Sequence, residues 1–319
     1  MRKWVINIME LNALEKSILQ TITYFAIYHF PLTALEVFRN LWQTPVGATI
    51  VSVEVGLTDL IEKEIIASRD GFFFLKKQAE DPVRLRRERY LVAKEKMEKG
   101  LKYIKLMARL PFARAVFVVN NLGYLNAPDD ADIDLAIISA KNRIWTARFV
   151  CAGLMKLFNK RPTAKTQKNR ICLSFFVDEN QLDLRSLAYE SDIHFTYWIR
   201  QFMPVCGDEA LINRFFTANG WTSQSLPNLW PINVNERWRV TGASTFKRSS
   251  ETILSGRAGD WLEKFLKKWQ LKIMPRRLLE LAVSNPKDVV LGDAVLKFHD
   301  KDTRLAIRDR WQKEVADVF

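Results

Sequence analysis

Two aspartates, Asp132 and Asp134, stand at the start of the apolar run Ala131–Ser139. On a strand, residues two apart leave the same face. Two carboxylates held that close repel each other unless a cation lies between them. A hard divalent ion, Mg2+ or Mn2+, suits such a pair and keeps positions for water and substrate phosphates. Ile133, Leu135, Ala136, Ile137 and Ile138 mark the strand as central rather than a solvated edge. An earlier apolar run, 113–120 (ARAVFVVN), reads as another buried strand. A polar turn carrying Asn120, Asn121, Gly123, Asn126, Pro128, Asp129 and Asp130 joins the two. The carboxylate pair therefore opens a buried strand one polar turn after its predecessor.

That arrangement resembles the nucleotidyltransferases of the DNA polymerase beta superfamily. Their fingerprint is a strand, Gly-Ser at the start of a helix, then Asp-x-Asp on the next strand. The match covers 112–140 and extends to about residue 184. The resemblance implies an α/β (α+β) fold with a mixed sheet flanked by helices. It implies Asp132 and Asp134 as catalytic residues and Mg2+ (or Mn2+) ligands, and Asn120 and Asn121 as the residues lining the phosphate turn. It also implies an NTP substrate, whose nucleoside monophosphate passes to a hydroxyl on RNA, protein or a small molecule. The whole order is similar to bacterial nucleotidyltransferase-like proteins with a leading winged helix and a helical tail.

The chain departs from the fingerprint in two places. Asn120-Asn121 replaces Gly-Ser; asparagine tolerates the left-handed backbone and can donate through its amide. The family's third carboxylate has no obvious counterpart. The next strand, 170–177 (RICLSFFV), alternates Cys172, Ser174 and Phe176 against Ile171, Leu173, Phe175 and Val177, with no acid on either face. Asp178 follows it, then Glu179 and Asp183. The alternative reading is therefore a catalytically degenerate nucleotide- or nucleic-acid-binding regulatory protein, and a third is a protein-interaction scaffold. Between the strands a helix over 143–158 is expected. Its Arg148, with Lys141 and Arg143, either reaches nucleotide phosphates or forms the exposed flank of an ordinary crossover helix. The connection 159–169 is basic and reads as a mobile loop.

Residues 1–80 read as three helices and a hairpin. The helices are expected over 11–30, 33–40 and 52–63, and Asp70-Gly71 joins two short apolar runs. Order and lengths look like a winged helix-turn-helix. Its third helix carries Glu54, Asp59 and Glu62 against Lys63, which suits packing or protein docking better than a DNA groove. A basic linker helix over 81–110 holds ten Lys/Arg against three Glu. It is either a solvated helix with a packed seam or a ridge facing a polyanion.

Residues 185–319 read as a helical C-terminal domain. Its tryptophans belong in a bundle core or stack on bases. Its basic amphipathic segment 261–281 is either solvated or turned to a nucleic acid or an anionic membrane surface. His299, in Phe298-His299-Asp300, suits a turn or a small polar site. The net charge of +13 over 319 residues favours a phosphate-bearing partner. Three widely spaced cysteines, Cys151, Cys172 and Cys206, exclude a disulfide framework and read as inert core residues. No P-loop, GxGxxG, GxSxG or HExxH motif appears. Neither a signal-peptide core nor a membrane span is expected, so a cytoplasmic protein fits best.

Overall fold

The computed structural model describes residues 11–78, 80–163, 165–231 and 234–317. The N-terminal stretch lacking a signal-peptide core lies largely outside them.

Helix α1 (Ala13–Ala26) starts at a capping box in which Asn12 accepts from the Glu15 N–H and Glu15 from the Asn12 N–H. Such a cap contributes about 1 kcal/mol. Helix α2 (Ala34–Arg39) begins the same way at Thr33 and Glu36, and α3 (Ile50–Glu62) at Thr49 and Ser52. The hairpin β1 (Ile66–Arg69) and β2 (Phe72–Leu75) turns on Asp70 and Gly71, both left-handed (φ 52° and 77°), the geometry that matches strand twist. Leu32 exchanges two backbone hydrogen bonds with Phe73 and extends the hairpin. Helix α1 ends earlier than expected, because the chain turns at His29 (φ 52°) to deliver Leu32 to that bridge.

The long helix α4 (Pro82–Ala108) is capped by Asp81, with proline in its first turn. Its basic face is largely spoken for. Arg86 pairs bidentately with Glu36 and lies over Phe30 and Phe72. Arg84 pairs with Glu88, Arg87 with Asp70 and Lys99 with Glu95. Lys96 is buried.

The elements β3 (Ala113–Val118), α5 (Asn120–Gly123), β4 (Ile133–Ser139), α6 (Ile144–Leu157) and β5 (Ile171–Asp178) follow. Strand β4 pairs antiparallel with β3 and parallel with β5, and α6 makes the crossover. Beyond them come α7 (Ile193–Arg200), β6 (Met203–Cys206), α8 (Glu209–Ala218), α9 (Thr245–Ile253), α10 (Arg257–Lys272), α11 (Arg276–Ser284), β7 (Val289–Leu291), β8 (Val295–Phe298) and α12 (Arg304–Ala316). The mixed sheet runs β6-β3-β4-β5-β8-β7.

The C-terminal third is thus not the separate helical domain expected for 185–319. It contributes three of the six strands, one to the β3 edge and two beside β5. These strands have three or four residues, and β6 contains Pro204, so alternation carries little signal.

One sheet face packs on α4 and α6 through Met97, Ile104, Trp145, Ile133, Leu135 and Leu173. The other packs on α7 and α8 through Phe117, Ala136, Phe175, Trp198 and Phe215. A third cluster joins the N-terminal helices to α7 and α12, with Tyr24 stacked on Tyr197 and Trp42 edge-on to Trp311. Among the described residues no helix is long and apolar enough to cross a membrane.

A candidate metal centre and its cavity

Strand β4 carries Ile133 and Leu135 into the α4/α6 face, so Asp132 and Asp134 leave on the α7 side. Two supports fix the approach to the pair. Helix α4 passes so close beneath that a Cβ on Gly100 would lie 3.2 Å from Ile133 Cδ1. The Lys96 ammonium donates to the carbonyls of Asp129 (2.9 Å) and Ala131 (2.7 Å) and to Asn169 Oδ1 (3.0 Å). It ties together the turns entering β4 and β5. Lysine is rarely fully buried without such partners.

Strand β5 sets Cys172 directly opposite Asp134. Oxygen atoms of Asp132 and Asp134 and the Cys172 sulfur lie within 4.8 Å of one another. The alternation expected along β5 fails just beyond. Asp134 pairs with Cys172, but Ala136 pairs with Phe175, so β5 has one extra residue. This bulge sends Phe175 and Val177 to the α7 side and Phe176 to the opposite face. Cys172 is consequently half-buried beside the aspartates and not the core residue expected, whereas Cys151 and Cys206 are buried in the core.

Asp178 does not reach the pair. It sits at the far end of β5, six residues from Cys172 and roughly 20 Å along the strand. There it accepts from the N–H groups of Asn142 (2.6 Å) and Asn180 (2.9 Å). A half-buried thiol therefore occupies the register at which a third carboxylate was sought.

The turn after β3 behaves as asparagine permits. Asn120 has φ 56°, the left-handed region. Its Oδ1 accepts from Trp198 Nε1 (2.6 Å), which leaves its amide to donate to the Asp134 carboxylate. Asn121 Oδ1 accepts from the Tyr124 hydroxyl (2.8 Å). Asn120, Asn121, Asp134, Cys172 and Ser174 form one wall of a cavity of about 420 Å³. Tyr24, Tyr28 and Trp198 contribute apolar surface, and His194 and His299 polar edges. His194 Nδ1 lies 2.8 Å from the Tyr28 hydroxyl and 3.0 Å from that of Tyr24. His299 Nε2 lies 3.1 Å from Ser174 Oγ.

The floor is a closed ion network. Arg304 reaches Asp192 (3.0 Å), Asp288 (3.3 Å), Asp302 (2.8 Å) and the carbonyls of Leu187 and Lys287 (both 2.9 Å). Lys297 pairs with Asp302, whose carboxyl is held down to about 2 despite its burial. These groups satisfy one another, and Asp300, Lys301 and Thr303 stand exposed beside them.

The other sequence candidates separate. Arg148 lines a second cavity, behind Cys172 and Ser174. Arg143 is buried away from both, paired with Asp260 (2.7 Å), and Lys141 is exposed at the opposite end of β4. The residues that complete the cavity, His194, Trp198, Ser174 and His299, lie far from the Asp-x-Asp segment in sequence. Only the polar Phe298-His299-Asp300 run hinted at one of them.

Burial pushes the Asp134 carboxyl up to about 7, and the neighbouring Asp132 charge adds to the rise. Asp132 is also raised by burial, and the Cys172 thiol is pushed well up. Among the described residues no cationic side chain pairs with either aspartate. A divalent cation fits this donor set through the carboxylate oxygens, while the protonated thiol is a poor ligand for a hard ion.

The metal-free fold holds the Asp134 proton to about pH 7, whereas an unfolded chain releases it near 4. Stability from this group is therefore present at low pH and lost as pH rises through that window. His194 and His299, depressed by burial to about 4 and about 3, act in the opposite sense below their ordinary range. In EDTA, raising the pH from 5 to 8 should lower the melting temperature of wild type relative to Asp134→Asn, and saturating Mg2+ should close the gap. Parallel pH profiles without metal would contradict this.

Comparison with protein-family models, curated proteins and solved structures found no match for this chain.

Proposed function

We propose that the protein is a metal-dependent nucleotidyltransferase. It would move a nucleoside monophosphate from an NTP to an acceptor hydroxyl, with release of pyrophosphate. The observation that carries this reading is the Asp132–Asp134 couple, without a cationic partner among the described residues, on a central strand beside a cavity large enough for a small ligand. On this reading the sheet is of the nucleotidyltransferase type. The N-terminal helices and hairpin form a winged helix whose place is packing within the chain.

Asp132 and Asp134 would hold Mg2+ or Mn2+. When bound, the metal supplies charge neutralisation and orientation for the phosphates. The chain's own residues do the rest. Asn120, fixed by Trp198, keeps the Asp134 carboxylate aimed. Asn121 and Lys301 line the cavity with donors for phosphate oxygens. Tyr24, Tyr28 and Trp198 give the aromatic surface on which a base can rest. The neutral imidazole of His299, against Ser174 Oγ, offers a hydrogen-bonding edge inside the cavity; burial holds it too low to serve as a base at neutral pH.

A second reading, nucleotide binding without transfer, is favoured by one observation: the thiol of Cys172 opposite Asp134 where an acid would activate the hydroxyl. Nucleic acid is the weaker partner. The exposed face of α3 presents Val51, Glu54, Val55 and Glu62, and much of the basic surface of α4 is paired within the chain. Phosphate contacts from Lys and Arg supply most such affinity.

A melting-temperature matrix of four NTPs against Mg2+, Mn2+ and EDTA tests the reading, since a ligand of the folded state raises the melting point by mass action. At least one NTP should stabilise only with metal, and should transfer its α-label to an acceptor fraction. Metal-dependent stabilisation without transfer selects the second reading. No nucleotide effect under any condition rejects both.

A further inference from the structure

The second cavity, of about 450 Å³, meets the first at Cys172, Ser174, Phe298 and Asp300. Three arginines and one acid line it, and two of the arginines, Arg148 and Arg161, have no acidic partner among the described residues. Arg148, on α6, has its guanidinium carbon over the Phe298 ring, 4.4 Å from its centre. Gln270 on α10 accepts one of its N–H groups, and donates through its own amide to the carbonyls of Trp145 (2.9 Å) and Leu266 (3.1 Å). That leaves Arg148 fixed in orientation, with its Nε buried and without a hydrogen-bond partner among the described residues. Arg161, from the α6–β5 connection, buries its Nη1 equally unpartnered. The cavity's one lining carboxylate, Asp300, faces Arg277 at 3.9 Å, so that pair is neutral.

We propose that this cavity is a binding site for a phosphate-type dianion, with Arg148 and Arg161 as its ligands. Two guanidiniums turned into one desolvated space repel each other and lack counter-charge, which is costly unless an anion enters. Their excess charge of two matches a phosphate or phosphate monoester, and the planar N–H array of arginine fits tetrahedral oxyanions. Burial and mutual repulsion depress Arg148 to about 10, and burial depresses Arg161. Arg148 at about 10 still carries its charge at neutral pH. The site does not depend on the transferase reading, because neither aspartate belongs to it.

The test uses the full chain in EDTA, without nucleotide, titrated with sodium phosphate at constant ionic strength and followed by calorimetry. Saturable binding is expected in wild type, weakened at least about 10-fold in Arg161→Gln, partly restored in Arg161→Lys and unchanged in Asp134→Asn. Arg161 lies in a surface connection, so its variants should keep the wild-type circular dichroism spectrum; Arg148→Gln is a second probe of the same pocket. Glycerol phosphate binding as tightly as phosphate assigns the ligand as a phosphate ester. Its exclusion assigns free phosphate. No saturable phosphate binding in wild type, or equal affinity in Arg161→Gln, overturns the proposal.

Discussion

Asp134→Asn should abolish the proposed nucleotidyl transfer, by at least about 10³-fold, while leaving the metal-free protein folded and more stable above neutral pH. The two effects share one cause. Asp134 is half-buried beside Asp132 and accepts from the Asn120 amide, with no cation among the described residues to balance it. The amide variant keeps shape and volume but removes the like-charge repulsion and the desolvation of an ionised carboxylate, so the apo fold gains. It also removes one of the two proposed metal ligands. Losing metal-borne charge stabilisation of about 4 kcal/mol corresponds to roughly three orders of magnitude in rate. Transfer of α-label and melting temperature at pH 8 in EDTA give the two readings. A variant that is inactive but less stable would point to a structural role for the carboxylate instead.

Arg304→Met should be the most destabilising single change in the cavity floor. The Arg304 guanidinium joins the start of α12 to Asp192, which caps α7, to Asp288 before β7, and to the carbonyl of Leu187. All lie in a nearly dry network with Lys297 and Asp302. Methionine fills similar space but leaves Asp192 and Asp288 without a cationic partner among the described residues, while Asp302 keeps Lys297. Breaking a buried network by removing one partner costs roughly 3–5 kcal/mol, a fall on the order of 10 °C in melting temperature. Thermal denaturation at pH 7 measures it. A change under about 2 °C would mean that water already screens these charges.

How much of this was legible in the sequence depended on how local its cause was. The capping box of Thr33 and Glu36 and the Asp70-Gly71 hairpin act over three or four residues, and boundaries there fall close to expectation. Asp132 and Asp134 were readable because a strand's period of two is exact wherever pairing is regular. The bulge at Ser174 was not, since one extra residue reverses every later side chain without changing composition. Lys96 looked like one charge among ten on an exposed ridge. Only the tertiary carbonyls of Asp129 and Ala131 give it a reason to be buried. Strands β6, β7 and β8 owe their existence to edges supplied by distant β3 and β5. The same dependence on distant partners hid the contribution of His194, Trp198 and His299 to the cavity.

The central claim is that Asp132 and Asp134 jointly hold a divalent ion. It is tested most directly by titrating the protein into Mn2+ and following the free aqua ion by electron paramagnetic resonance, with and without a non-hydrolysable NTP. The account predicts loss of the free-ion signal at defined stoichiometry, tighter with nucleotide, and abolished in Asp134→Asn. A free-ion signal that wild-type protein leaves unchanged, or that Asp134→Asn depletes equally, would contradict it.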